Sequence, residues 1–303
     1  MAAGELTKRL AVAAVGIPIA VALVYLGGWW LAVLLAVAAA GSALELFDMA
    51  RKRDVHPFST AGAAAAVLLV LLAASAGTPL RAAPWAWSLL VMLVLGAAIA
   101  AIWRRAPERG PLEAVAVTVA GALLCGGTLS YGSYLRALPA ALAPGVESAH
   151  ALVAPGGWLG AALVGFPVVL TWVNDSFAYF GGLRFGRRKL IPRVSPGKTV
   201  EGALAGLVGT VLVGTLYGAG LLGGTFGLPI GALAAAGGAV LVSVGAQVGD
   251  LAESLFKRAA GVKDSGALLP GHGGLLDRLD ALFVTLPLAY WYLAILLAGN
   301  AAR

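Results

Sequence analysis

The sequence predicts an all-α, polytopic membrane protein with about nine transmembrane helices, and three observations predict it. The 303-residue chain is 60% hydrophobic and only 12% charged. Its mean hydropathy is +0.91, more apolar surface than one water-soluble globule can bury. A helix needs roughly 20 apolar residues to cross the hydrocarbon layer, and nine stretches meet that length, centred on 10–27, 29–47, 61–77, 85–103, 112–130, 159–181, 201–222, 229–256 and 279–298. None alternates with the period of two that barrel strands need. Backbone groups in lipid must be satisfied within the spanning element, which leaves helices.

The first span, after Lys8 and Arg9, resembles a signal peptide, but WWLAVLLAV follows at once and no polar mature domain begins there. Residues 1–158 read as a membrane scaffold of about five spans, with an irregular stretch expected over 131–158, where LPAALAPG and VAPGG occur. The single cysteine, Cys125, excludes an internal disulfide and any cysteine-rich metal site, and reads as packing. From residue 159 the character changes: ionisable groups enter the spans, and the loops become dense in Gly, Pro, Lys and Arg. Residues 159–303 therefore read as a catalytic membrane domain of about four spans. No repeat of fixed period and no matched pair of interrupted helices is visible, which weakens a transporter reading.

With these spans, eighteen of the 21 Lys and Arg residues fall on one side, leaving Arg81, Arg136 and Arg303 on the other. The positive-inside rule then predicts a cytoplasmic N-terminus and, after nine crossings, a C-terminus outside; the expected location is the plasma (cell inner) membrane. The net charge of +7 is accounted for by topology and contact with anionic membrane lipids, so no nucleic-acid partner is expected.

A carboxylate at the centre of a span costs about 2.5–3.5 kcal/mol on insertion scales, so such groups face protein, water or ions. Asn174 and Asp175 lie within VVLTWVNDSFAYFGG, and Ser243, Gln247, Asp250, Ser254 and Lys257 recur at steps of three or four, along one helical stripe. Asp175 precedes Arg184 by nine residues and Asp250 precedes Lys257 by seven. At about 1.5 Å per residue both sit on the order of 10–14 Å below the basic rim. With Asp277 and Asp280 these groups suggest a pocket open to the cytoplasm. Helix C-termini there favour cations, and the N-termini of the next spans favour phosphate. The GKT of RVSPGKTVEG is not a P-loop, because the glycine required five positions before Gly197 is Pro192. Ser195, Lys198 and Thr199 nevertheless precede a helix N-terminus and suit a phosphate grip, with a plain capping turn as the alternative. His56 and His150 read as surface residues. His272, in PGHGG, suits either an acid–base role or a backbone anchor.

From Ser254 the chain reads S-x-x-K-R-x4-K-D-x5-P-x-H-G-G-x-x-D-R-x-D, twelve fixed residues over 27 positions. This resembles the signature of the phosphatidate cytidylyltransferases, the CDP-diacylglycerol synthases; NDSFAYFGGLRFG and SPGKTVEG are similar to the family as well. The family usually shows lysine where Gly197 stands. The resemblance implies a nine-helix enzyme, commonly a homodimer, that condenses CTP with phosphatidic acid to give CDP-diacylglycerol and pyrophosphate. It implies dependence on Mg²⁺, with a monovalent cation such as K⁺ alongside, and Asp250 and Asp277 as the metal-binding carboxylates. Lys263, Asp264, His272, Arg278 and Asp280 join these two as catalytic candidates. Asp175, Ser195, Lys198, Thr199, Ser254, Lys257, Arg258, Gly273 and Gly274 are substrate-binding candidates. Two competing readings are a CTP-dependent lipid kinase of the polyprenol type, which would release CDP instead of pyrophosphate, and an ion-coupled transporter, for which buried carboxylates are equally expected.

Overall fold

The computed structural model describes residues 3–142, 157–266 and 273–301. Its helices are α1 (Ala3–Leu26), α2 (Gly28–Arg51), α3 (Ser59–Ala76), α4 (Pro79–Arg104), α5 (Pro111–Gly121), α6 (Thr128–Leu142), α7 (Trp158–Phe185), α8 (Val200–Thr215), α9 (Ala232–Ala259), the short α10 (Leu276–Leu279) and α11 (Leu282–Ala301). A π-helical turn, Ala122–Gly127, joins α5 to α6, and a longer one, Leu216–Thr225, extends α8. Among the described residues, eight helical segments are long and apolar enough to cross a membrane, and Ala14–Leu26 adds a shorter apolar stretch. The all-α membrane architecture of about nine helices therefore holds.

Two regions depart from the expectation. The stretch from 131 is helical as far as Leu142, because Leu135 and Leu138, one turn apart, are both fully buried and hold that face in register. Residues 143–156, with His150, lie outside the described residues. The polar loop after α7 forms an antiparallel hairpin, β1 (Lys189–Ile191) and β2 (Ser195–Thr199), pairing Lys189 with Thr199 and Ile191 with Ser195. Two backbone-directed contacts set it: Val200 N donates to Arg188 O at 2.9 Å, and the Glu201 carboxylate accepts from the Arg187 and Arg188 amides at 3.0–3.3 Å.

By internal contacts the chain divides into two units. The first contains Met1–Tyr134 and Phe256–Leu279, the second Leu135–Leu255 and Asp280–Arg303. In the first unit α2 packs on α3, and the core includes Leu31, Ala39, Phe47, Val70, Ala114 and Cys125, all 0–1% exposed. Phe47 fits a slot made by two missing side chains: a Cβ on Gly62 would come within 2.5 Å of its ring, and one on Gly121 would fall on the same ring. Thr118 ties the α3 entry to α5, accepting from Phe58 N at 2.8 Å while donating to Ala114 O at 2.7 Å.

In the second unit α7 lies along α8, and α11 packs on α7. Close approach depends on glycine: a Cβ on Gly206 would sit 2.9 Å from Asn174 Oδ1 and 3.0 Å from the Asn174 carbonyl oxygen. Small residues at such seams let helix backbones approach and gain van der Waals contact where lipid supplies no hydrophobic drive.

Candidate active site

The sequence-predicted residues gather into two clusters, one in each unit. In the second unit the stripe on α9 meets α7 and the hairpin. Asn174, 2% exposed, accepts through Oδ1 from Ser243 Oγ at 2.8 Å and Gln247 Nε2 at 3.3 Å. Gln247 also donates to Ala203 O at 3.1 Å. The inner part of the stripe is thus a satisfied hydrogen-bond seam, which fixes the rotation of α9 against α7 and α8. One turn further on, Asp250 Oδ2 receives Lys198 Nζ at 2.6 Å, and Ser254 Oγ donates to Asp250 Oδ1 at 3.3 Å. Asp175 lies within electrostatic range of both Asp250 and Lys198 and accepts from Asn174 Nδ2 at 3.4 Å. Two carboxylates here face one ammonium. Lys198 reaches this position because β2 ends at Thr199, whose Oγ1 accepts from Gly202 N at 3.1 Å and caps α8. Thr199 therefore performs the capping alternative in this structure. Ser195 is half-buried at the start of β2.

The first unit holds the second cluster. Asp277, in α10, accepts Lys257 Nζ on Oδ1 at 2.7 Å. Its other oxygen, Oδ2, accepts from Ser265 N at 3.0 Å, Ser265 Oγ at 3.0 Å and Gly274 N at 2.9 Å. Lys257, Gly274 and Asp277 are all fixed positions of the 254–280 motif, and the fold brings the three together. The side chains of Lys257 and Asp277 are only 14% and 8% exposed, so this pair is shielded from water and geometrically constrained. Gly273 holds a backbone φ of +80°, in the left-handed region, which turns the chain so that the next amide points at Asp277.

The remaining candidates are more peripheral. Lys263, Asp264 and Arg278 are exposed. Arg258 is also exposed and donates through Nη1 to Val262 O at 3.2 Å. Asp280 Oδ1 accepts from Ala281 N at 2.7 Å at the entry to α11. His272 lies outside the described residues.

Sequence reasoning missed one member. Glu45, on α2 and 7% exposed, accepts from Leu275 N at 3.0 Å, Leu276 N at 2.8 Å and Ser265 Oγ at 3.0 Å. Its only sequence signal is an acidic residue inside an otherwise apolar run, SALELF. The same argument that singled out Asp175 applies to it.

The donor chemistry suits a hard cation. Among the described residues no group of three or more His, Cys, Asp or Glu side chains gathers to enclose a metal. Mg²⁺, however, keeps several waters and uses one or two carboxylates together with substrate phosphates. Asp250 and Asp277 each hold a lysine ammonium against a carboxylate oxygen, at 2.6 and 2.7 Å. A cation already stands at each oxygen, so the residues fit such a group.

The family model for cytidylyltransferases matches residues 7–296. The chain belongs to the cytidylyltransferase family. The family match runs through both units and both carboxylate clusters. A phosphatidate cytidylyltransferase of Synechocystis sp. is 34% identical over 302 residues, covering 96% of this chain and 97% of the relative. Two others align over less than half of each chain. The phosphatidate cytidylyltransferase of Haemophilus influenzae is 42% identical over 147 residues, 45% of this chain and 48% of that protein. That of Thermotoga maritima is 43% identical over 139 residues, 43% of this chain and 48% of that protein. Membership in the family makes the chain a nucleotidyltransferase embedded in a membrane.

Proposed function

We propose that the protein is a CTP:phosphatidate cytidylyltransferase of phospholipid biosynthesis. A phosphate oxygen of phosphatidic acid attacks the α-phosphorus of CTP. The new P–O bond forms as the α–β phosphoanhydride bond breaks, giving CDP-diacylglycerol and releasing pyrophosphate. The observation that carries this reading is the convergence of two fixed motif positions, Lys257 and Gly274, on a third, the shielded Asp277 carboxylate, within a chain that the family model matches over residues 7–296.

The attacking oxygen is already anionic, so no strong general base is needed. The protein's task is to bring two polyanions together and to stabilise the leaving group. Asp250 and Asp277, each in its own cluster, are the carboxylates assigned to Mg²⁺, with K⁺ as a companion cation. When bound, Mg²⁺ neutralises phosphate charge and favours departure of pyrophosphate. Asp175 and Asp280 support these carboxylates. Lys198, Lys257, Arg258, Lys263 and Arg278 are assigned to phosphate charge, and Ser195 and Ser254 to phosphate or carboxylate hydrogen bonds, while Thr199 caps α8. Gly273 and Gly274 shape the turn that presents backbone amides, and Asp264 and His272 are kept as catalytic candidates.

The 18-to-3 distribution of basic residues supports a cytoplasmic N-terminus, an outer C-terminus and a site open to the cytoplasm; residence in the inner membrane is part of the same proposal. A homodimer, and a scaffold role for 1–158 against a catalytic role for 159–303, complete the proposal. Asp250→Asn and Asp277→Asn are the test. Each is expected to fold and to lose at least about a hundredfold in turnover, as removal of a transition-state charge stabiliser does. Folded variants with full activity would overturn the assignment.

A further inference from the structure

We infer that Glu45, which no motif of the sequence includes, is a positioning residue for Asp277; this rests on the reading of Asp277 as a metal-binding carboxylate. Glu45 and Asp277 lie on α2 and α10, and one side chain connects them. Ser265, 4% exposed, places Oγ 3.0 Å from Glu45 Oε2 and 3.0 Å from Asp277 Oδ2. A hydroxyl has one proton to donate, so the two carboxylates compete for it, and a change at one alters what Ser265 gives the other. Glu45 also takes the amides of Leu275 and Leu276, the residues that lead into the single helical turn carrying Asp277.

The loop is shaped to fit the Glu45 head. A Cβ on Gly266 would come 2.5 Å from Glu45 Oε1, and a Cβ on Gly274 would come 2.5 Å from Glu45 Oε2. Two glycines therefore wrap the carboxylate from both sides, and Gly274 N is itself a donor to Asp277 Oδ2. Three connections run from Glu45 to Asp277: through the Ser265 hydroxyl, through Gly274, and through the Leu275 and Leu276 amides. A membrane-embedded carboxylate on α2 thus aims the acidic group that the motif supplies, as outer partners aim ligands in metal sites.

The test uses the full-length purified protein and four variants: Glu45→Gln, Glu45→Leu, Ser265→Ala and Asp277→Asn. Glu45→Gln keeps the shape but turns one acceptor into a donor facing an N–H group. It is expected to lower kcat by about tenfold to a hundredfold with KM for CTP nearly unchanged. Binding of Mn²⁺ alone, measured without nucleotide or lipid by electron paramagnetic resonance of the free ion, is expected to weaken about tenfold. Combining Glu45→Gln with Ser265→Ala is expected to cost less than the two effects added, because both act through one hydroxyl.

Wild-type kcat and Mn²⁺ affinity in folded Glu45→Gln, alongside a defective Asp277→Asn, overturn the inference and leave the reading of Asp277 intact. Full turnover and Mn²⁺ binding in Asp277→Asn overturn that reading itself. A change in KM alone, or a Glu45→Gln protein that does not fold, makes Glu45 a scaffold residue and overturns the inference. Glu45→Leu, if it folds, is expected to show the larger defect in kcat and Mn²⁺ binding.

Discussion

Removing Asp277 is expected to destabilise the protein far more than removing its ion-pair partner Lys257. Asp277 gathers four donors: the Lys257 ammonium at 2.7 Å, the Ser265 amide and hydroxyl at 3.0 Å each, and the Gly274 amide at 2.9 Å. Asp277→Ala strips all four of their acceptor and breaks an ion pair whose lysine side chain is only 14% exposed. Breaking a buried pair in this way costs about 3–5 kcal/mol. Lys257→Met keeps the apolar stem and removes one charge-assisted bond, while Asp277 retains three donors, so the cost falls to about 1.5–3 kcal/mol. The gap of about 2 kcal/mol is a factor of about 30 in the unfolding equilibrium. The double variant is expected to cost less than the two single effects added, because both act on one ion pair. Reversible unfolding in mixed micelles, titrated with SDS and followed by circular dichroism, measures all three. Equal costs for the two single variants, or strict additivity in the double, would refute the reasoning.

Phe47→Ala is expected to cost about 3–5 kcal/mol in the same titration, since the slot formed by Gly62 and Gly121 admits an aromatic ring and leaves a cavity without one. Gly206→Ala is expected to cost about 1–3 kcal/mol, because its Cβ would press on the Asn174 carbonyl; Gly220→Ala, whose Cβ meets nothing within 4 Å, serves as the neutral control. Gly197→Lys is expected to leave stability unchanged, as a Cβ there also meets nothing within 4 Å, and to lower KM for CTP by placing a further cation beside Lys198; steady-state kinetics reads that change.

The membrane helices were legible in the sequence because lipid demands long uninterrupted apolar runs, and their register along α9 was legible because Ser243, Gln247, Asp250 and Ser254 step by three or four residues. The β1–β2 hairpin was not. Pro192 and Pro196 interrupt its alternation, and its pairing depends on Glu201 accepting the Arg187 and Arg188 amides from the next helix. Thr199 suits a phosphate contact by composition, and only the geometry reveals its hydroxyl capping α8. Glu45 stood furthest from view. Its partners Leu275 and Leu276 are separated from it by 230 and 231 positions, so no local spacing could connect them, and the lone acidic residue in SALELF was the whole signal.

Incubation of the purified protein with phosphatidate, Mg²⁺ and each of the four nucleoside triphosphates tests the central claim most directly. The account predicts that CTP yields pyrophosphate and a liponucleotide in equal amounts. Release of CDP with phosphoryl transfer to lipid, or no liponucleotide with any of the four, would contradict it.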